Sequence, residues 1–310
     1  MCSLCHWRTK INIEGEVRYG EPIGPHTTFR VGGPADIYAR PAGEQDIQEI
    51  LRFARREKIP WFVLGGGSNI LVSDRGIRGL VIDTTALCAC STGGTGLTVG
   101  AGMPMSDASA CAADHALGGL DFVYSMPGTV GGAVWMNARC YDGEIYDVLE
   151  SVDFVEPDGR SVRYVPRAAD FGYKRSPFMD RPGVMTSVSF NLRPAERAHL
   201  WTKMREHEAD RRAKGHFLAP CAGSIFKNNR AFGAPSGAII DSLGLRGFAI
   251  GGAKVSDLHA NIIINAGSAT ATEIRAVIEH VGREVKRRLG FDLEREVLYV
   301  GDWAEDAAGG

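Results

Sequence analysis

The chain has 310 residues, 44% of them hydrophobic and 23% charged, which matches folded soluble protein and excludes disorder over most of the length. Its 35 basic and 37 acidic residues leave a net charge of −2, so there is no bulk positive field to gather nucleic acid. No stretch approaches the ~18–20 apolar residues of a membrane span, and the opening MCSLCHWRTKINIEG has neither the apolar core nor the cleavage site of a secretory signal.

At the amino terminus, Cys2-Ser3-Leu4-Cys5-His6 matches the pattern of c-type haem attachment. It stands on a bare terminus, and residues 1–15 are expected to fray. The seven cysteines are odd in number and scattered, as expected of a reducing cytoplasm. Cys88-Ala89-Cys90 lacks a second pair, and the eight histidines form no ligand-spaced cluster, so no metal site is expected.

Ile47, Ile50, Leu51 and Ala54 fall at helical spacing between Glu44 and Lys58, and Pro60 ends the run. Trp61 to Leu64 and Gly79 to Asp83 are predicted strands. Ser106 is the expected cap of a small-residue helix ending at Gly118-Gly119. From Ser151 the pattern turns to strands: a hairpin, SVDFVEPDGRSVRYV, with Asp158-Gly159 at its turn, then the alternating VMTSVSFNL. Arg193-Pro194-Ala195-Glu196 is the first clear boundary. A charged helix follows over about 199–214, with Leu200, Trp201 and Met204 on its apolar side and a solvated charge run. The last hundred residues alternate again. Thr270 to Glu273 is a capping box opening a helix with the stripe Ile274, Val277, Ile278, Val281, Val285 and Leu289. Lys286, Arg287 and Arg288 suit its dipole, and Gly290 closes it. This yields an α+β chain with one domain over 1–195 in two α+β lobes, a second over 196–302, and a flexible tail over 303–310.

Glycine is the compositional outlier, 39 of 310 residues against a usual ~7%. Two clusters carry the excess: LGGGSNIL (Leu64 to Leu71) and MPGTVGGAVWMNA (Met126 to Ala138). Neither fits G-x-G-x-x-G, and no G-K-[ST] occurs. Bare glycines let several main-chain N–H groups converge on an anion, with Ser68 and Asn69 adding side-chain donors. The competing reading is two tight turns in a glycine-rich fold. Together on one predicted domain they favour a diphosphate-bearing ligand.

TTFRVGGPA, LGGGSNIL, GLDFVYSMPGTVGGAVWMNARCYDGE, FGYKRSPF, AGSIFKNN, GGAKVSDLHANIIIN and LEREV occur in that order from Thr27 to Val297. The series resembles the UDP-N-acetylenolpyruvoylglucosamine reductase (MurB) family, in the shorter form without an inserted tyrosine-bearing loop. The resemblance implies an FAD-binding domain of the vanillyl-alcohol-oxidase (PCMH) type and a smaller α+β substrate-binding domain. It also implies non-covalent FAD, NADPH as co-substrate, and reduction of UDP-N-acetylglucosamine enolpyruvate to UDP-N-acetylmuramate. By that likeness Gly65, Gly66, Gly67, Ser68 and Asn69, with Pro127, Gly128, Thr129, Gly131 and Gly132, hold the FAD pyrophosphate. Tyr173, Lys227 and Asn228 fall to substrate. No nucleic-acid or membrane partner is expected, and the chain is expected to be monomeric.

The implied reaction builds negative charge beside the substrate carboxylate and needs a proton at the adjacent carbon. Ser224 matches the family's proton donor; as a weak acid it would be helped by Lys227 if the local turn brings the two together. Glu296 matches the family's catalytic glutamate, and beside a carboxylate it must be protonated or paired with a cation. Without the resemblance, Ser224 reads as a loop serine, and Glu294 and Glu296 as outward residues of a strand. Two positions depart from the pattern. Lys174 stands where arginine is usual, with Arg175 as fallback, and lysine lacks the planar two-pronged grip on a carboxylate. Leu298 stands where a second arginine is expected, and Arg246 and Lys254 are candidate replacements. Two rival readings stay open: an FAD-dependent alcohol or sugar oxidase, and a catalytically silent flavin or nucleotide-sugar binding protein.

Overall fold

A computed structural model of the chain describes residues 11–303. The Cys2/Cys5/His6 motif and the tail from residue 304 lie outside the described residues. Residues 11–15, expected to fray, are held. Glu14 and Gly15 N–H groups donate to the Asp46 carboxylate at 2.9 Å, and Ile11 is buried with Ile37, Ile47 and Leu80.

The chain forms two units. The first comprises residues up to Tyr19, Asp36–Gly66 and Gly79–Ala209; the second comprises Gly20–Ala35, Gly67–Arg78 and everything from Asp210. The division therefore differs from a single cut at residue 195.

Strands Glu16–Pro22, Pro34–Arg40, Ile77–Asp83 and Trp61–Leu64, most of whose residues belong to the first unit, lie in that order in a four-stranded sheet. Helix α1 (Glu44–Glu57) buries Ile47, Ile50, Leu51, Phe53 and Ala54. Its acids lead and its arginines trail, matching the dipole, and Lys58 ends it in the left-handed conformation. A second, antiparallel sheet has five strands: Ser161–Tyr164, Leu149–Val155, Val184–Asn191, Gly96–Gly100 and Cys90–Gly93. Its first two form the predicted hairpin, with Gly159 at φ +86°.

Helix α2 (Met105–Asp114) is capped at Pro104, so Ser106 lies inside it rather than at its cap. The run of Val130 to Trp135 forms a short helix, α3 (Val130–Trp135), within the second glycine cluster. The charged helix α4 (Arg197–Ala213) buries Leu200 and Met204 against Ala113.

In the second unit, strands Cys221–Ser224, Ile262–Asn265, Ala253–Val255 and Ala249–Ile250 form an antiparallel sheet. Helix α5 (Ser236–Ser242) precedes them in part, and α6 (Ala271–Leu289) buries Ile274, Val277, Ile278, Val281 and Val285. Thr270 and Glu273 complete the capping box, and Gly290 closes the helix at φ +84°. Leu289, expected in the stripe, is exposed instead, because α6 ends there. The short strand Ile70–Val72 joins this unit through a parallel pairing with Leu298–Val300, and Asp74 accepts from the N–H groups of Ala271 and Thr272. These long-range bonds, invisible in local pattern, are why residues 67–78 belong with the carboxy-terminal half.

The paired histidines of this unit give it a pH dependence. Burial, then Arg211, His259 and Lys214, push His216 down from 6.5 to about 4, with Asp210 opposing; burial and Lys214 also lower His259. Between those pH values the unfolded chain binds a proton that the folded chain refuses, so stability falls as pH drops through that window. His216→Gln should flatten that slope in urea titrations at stepped pH, with little change above pH 7. An unchanged slope would remove His216 as its source.

Among the described residues, no helix is long and apolar enough to cross a membrane, and no cluster of three or more His, Cys, Asp or Glu is placed to hold a metal ion.

Candidate functional site

In the first unit the strand Trp61–Leu64 runs straight into Gly65 and Gly66, which lie against the second glycine loop. A Cβ on Gly65 would stand 2.4 Å from Thr129 Oγ1, and one on Gly66 2.8 Å from Gly128 Cα. Only glycine permits that approach. The N–H groups of Gly66, Gly128 and Thr129 meet no acceptor among the described residues, although Thr129 is buried. Buried main-chain donors are almost always paired, so an external acceptor is the group these residues fit. A diphosphate supplies such oxygens.

The donor set is narrower than the sequence implies. In α3, Val130 N–H donates to Met103 O at 2.9 Å and Gly131 N–H to Ala101 O at 2.7 Å. Gly132 N–H donates to Thr129 Oγ1 at 3.3 Å. The amides of Gly131 and Gly132 are thus committed to protein acceptors, and Pro127 has none.

Tyr173 and Lys174 occupy the tip of a tight turn in the same unit. Gly172 and Arg175 exchange both main-chain bonds, each 3.0 Å, and Lys174 adopts φ +55°. Asn137, fully buried, fixes the turn: its Nδ2 donates to Gly172 O at 3.0 Å while its Oδ1 accepts from Tyr146 N–H. Lys174 is half-buried, and Tyr173 is exposed. The fallback Arg175 is exposed and paired with Asp180 at 3.0 Å.

In the second unit Gly67 is left-handed (φ +58°), and a Cβ there would stand 2.2 Å from His26 O. Ser68 follows, half-buried. Asn69, expected to add a side-chain donor to an anion site, donates from Nδ2 to Glu296 O at 3.2 Å, and its carbonyl accepts from Leu298 N–H. It ties down the segment bearing Glu296.

Ser224 ends the strand Cys221–Ser224, after an irregularity that includes Gly223 at φ +72°. Its hydroxyl makes no hydrogen bond within the described residues. Beyond it, buried Asn261 grips the chain three times: its carbonyl accepts from Ile225 N–H, Oδ1 accepts from Phe226 N–H, and Nδ2 donates to Phe226 O, at 2.8–2.9 Å. Ile225 O in turn accepts from Glu296 N–H at 2.8 Å. Ser224 and Glu296 therefore flank one clamped peptide, 72 positions apart in sequence.

Lys227 has a carboxylate partner. Its ammonium pairs with Glu294 at 2.6 Å, because the bond from Lys227 N–H to Glu294 O aligns those two residues. Asn228 is exposed, and its Oδ1 accepts from Ser236 N–H at the start of α5. Leu298 is exposed. Of its candidate replacements, Arg246 is held by Asp241 at 2.5 Å and Lys254 by Asp257 at 2.7 Å.

An FAD binding domain model matches residues 35–164, and a model of the UDP-N-acetylenolpyruvoylglucosamine reductase C-terminal domain matches residues 215–300. The UDP-N-acetylenolpyruvoylglucosamine reductase of Treponema denticola is 39% identical, over 97% of this chain and 98% of its own. That of Borreliella burgdorferi is 38% identical, over 96% and 98%. The chain belongs to the UDP-N-acetylenolpyruvoylglucosamine reductase family. The crystal structure of the Thermus caldophilus family member is 32% identical with a TM-score of 0.77, covering 93% of this chain and all of that one. A 6-hydroxy-D-nicotine oxidase from Arthrobacter nicotinovorans is 20% identical, with a TM-score of 0.50 over 60% of this chain and 44% of its own, and bears on fold alone. The fold is α+β with an FAD-binding domain of the vanillyl-alcohol-oxidase (PCMH) type.

Both glycine loops fall within the FAD binding domain match, and Ser224, Lys227, Asn228 and Glu296 fall within the match to the reductase C-terminal domain. Tyr173 and Lys174 lie between the two matches. Asn137 and Asn261 were not singled out from the sequence, although each sits in a motif of the reductase pattern, WMNA and HANIIIN.

Proposed function

We propose that the protein reduces the enolpyruvyl ether of UDP-N-acetylglucosamine to UDP-N-acetylmuramate, a step of peptidoglycan precursor synthesis, drawing electrons from NADPH. Bound FAD supplies the hydride relay between the two substrates. The observation that carries the reading is the clamped Ile225–Phe226 segment, which holds the backbones of Ser224 and Glu296 as neighbours inside the C-terminal family domain.

In this reading Gly65, Gly66, Gly67, Ser68, Gly128 and Thr129 hold the flavin diphosphate. Ser224 delivers the proton to the carbon beside the developing negative charge. Glu296 assists at the same carbon, and half-buried Lys174 supplies positive charge for the substrate carboxylate. As a point charge, Lys174 does so without a bidentate grip. Tyr173 and Asn228 contact substrate, and Lys227 contributes through its pair with Glu294. The protein acts as a soluble cytoplasmic monomer serving wall growth and division.

The test is NADPH oxidation by the purified flavoprotein under anaerobic conditions. Oxidation should depend on the enolpyruvyl substrate, and the product should be heavier by two hydrogens. NADPH consumption indifferent to that substrate, or flavin reduction by an alcohol or sugar, would replace this reading with a binding protein or an oxidase.

A further inference from the structure

Outside the site described above, two sulfurs face each other in the first unit. Cys90 opens the exposed edge strand Cys90–Gly93, and Cys111 lies on α2, which packs over the same sheet. Their Sγ atoms are 3.0 Å apart. Cys90 is exposed and Cys111 half-buried, so a small reagent reaches the pair from the Cys90 side. We propose that Cys90 and Cys111 are a dithiol that closes to an intramolecular disulfide when met by a small-molecule disulfide oxidant such as oxidised glutathione.

The surroundings assign the roles. His115 Nδ1 lies 2.8 Å from the Cys111 carbonyl, an acceptor only, so that nitrogen carries its proton and is no base for the thiol. Burial, with the Cys90 sulfur beside it, pushes the Cys111 thiol up to about 11. Cys90 is the exposed member of the pair, so it meets the oxidant first and attacks after giving its proton to water. The Cys90 sulfur bonds to one sulfur of the oxidant, whose own S–S bond breaks to release one thiol. Cys111 then gives its proton to water and displaces the second thiol from Cys90. Two protein sulfurs are oxidised, and the oxidant is reduced to two thiols.

The bridge would join an edge strand to a helix that begins beside the second glycine loop. Met105 N–H, in the first turn of α2, donates to Gly128 O at 3.0 Å, and Pro104 pairs with Thr129. Closing it braces that loop from behind. Cys88, two residues away, is a built-in control: it is exposed, and its thiol donates to Thr85 O at 3.1 Å, not to a sulfur.

Treatment of the full chain with oxidised glutathione, blocking of remaining thiols and peptide mapping decide the matter. The expected result is a Cys90–Cys111 linked peptide, reversed by dithiothreitol, retained in Cys88→Ser and lost in Cys90→Ser and Cys111→Ser. A stable glutathione adduct on Cys90 without the bridge, full blocking of both thiols, or a link through Cys88 would each overturn the assignment.

Discussion

Ser224→Ala should lower product formation by about 10²–10⁴-fold, the usual worth of a positioned general acid, while NADPH still bleaches the bound flavin at an unaltered rate. The split arises because the substitution removes only a hydroxyl. The clamp from Asn261 to Ile225 and Phe226, and the bond from Glu296 N–H to Ile225 O, involve main chain and stay intact. Rapid mixing that follows the flavin first with NADPH, and then with the enolpyruvyl substrate, separates the two half-reactions. Equal turnover in the variant would remove Ser224 from the mechanism. Slowing of both halves together would point to a disturbed site rather than a lost proton donor.

Gly66→Val should yield folded protein with little flavin. A Cβ at residue 66 meets Gly128 Cα at 2.8 Å and its carbonyl carbon at 3.3 Å, both main chain, so the loops must part. Overpacking of this kind costs about 1–3 kcal/mol, which read as affinity is roughly five- to more than a hundredfold. The effect falls on the contact between Gly66 and Gly128, whose N–H groups have no acceptor among the described residues. Gly132→Ala is the matched control, since its Cβ would find only Thr129 Oγ1 at 3.5 Å, ordinary contact. Flavin absorbance per protein, with circular dichroism to report folding, gives the answer. Stoichiometric flavin in Gly66→Val would detach this loop from cofactor binding.

Several features were legible from sequence alone because their physics is local. The periodic apolar stripe and terminal charges specify α1, and Thr270, Glu273 and Gly290 delimit α6 within a few residues of each end. Asp158-Gly159 marks a hairpin because its strands are neighbours along the chain. The seven ordered motifs carried the family for the same reason: each is a short contiguous string.

What only the tertiary structure decided depends on partners distant in sequence. Residues 67–78 join the carboxy-terminal unit through a pairing with Leu298–Val300 and through the bond from Asp74 to the start of α6. Asn69 turns from a presumed anion donor to a brace on Glu296, 227 positions away. The amides of Gly131 and Gly132 are withdrawn by Ala101 O and Thr129 Oγ1, and Lys227 is claimed by Glu294 rather than Ser224. Sequence chemistry names which donors and charges exist. Which of them remain available is settled by the acceptors that folding brings within hydrogen-bond reach, and those come from anywhere in the chain.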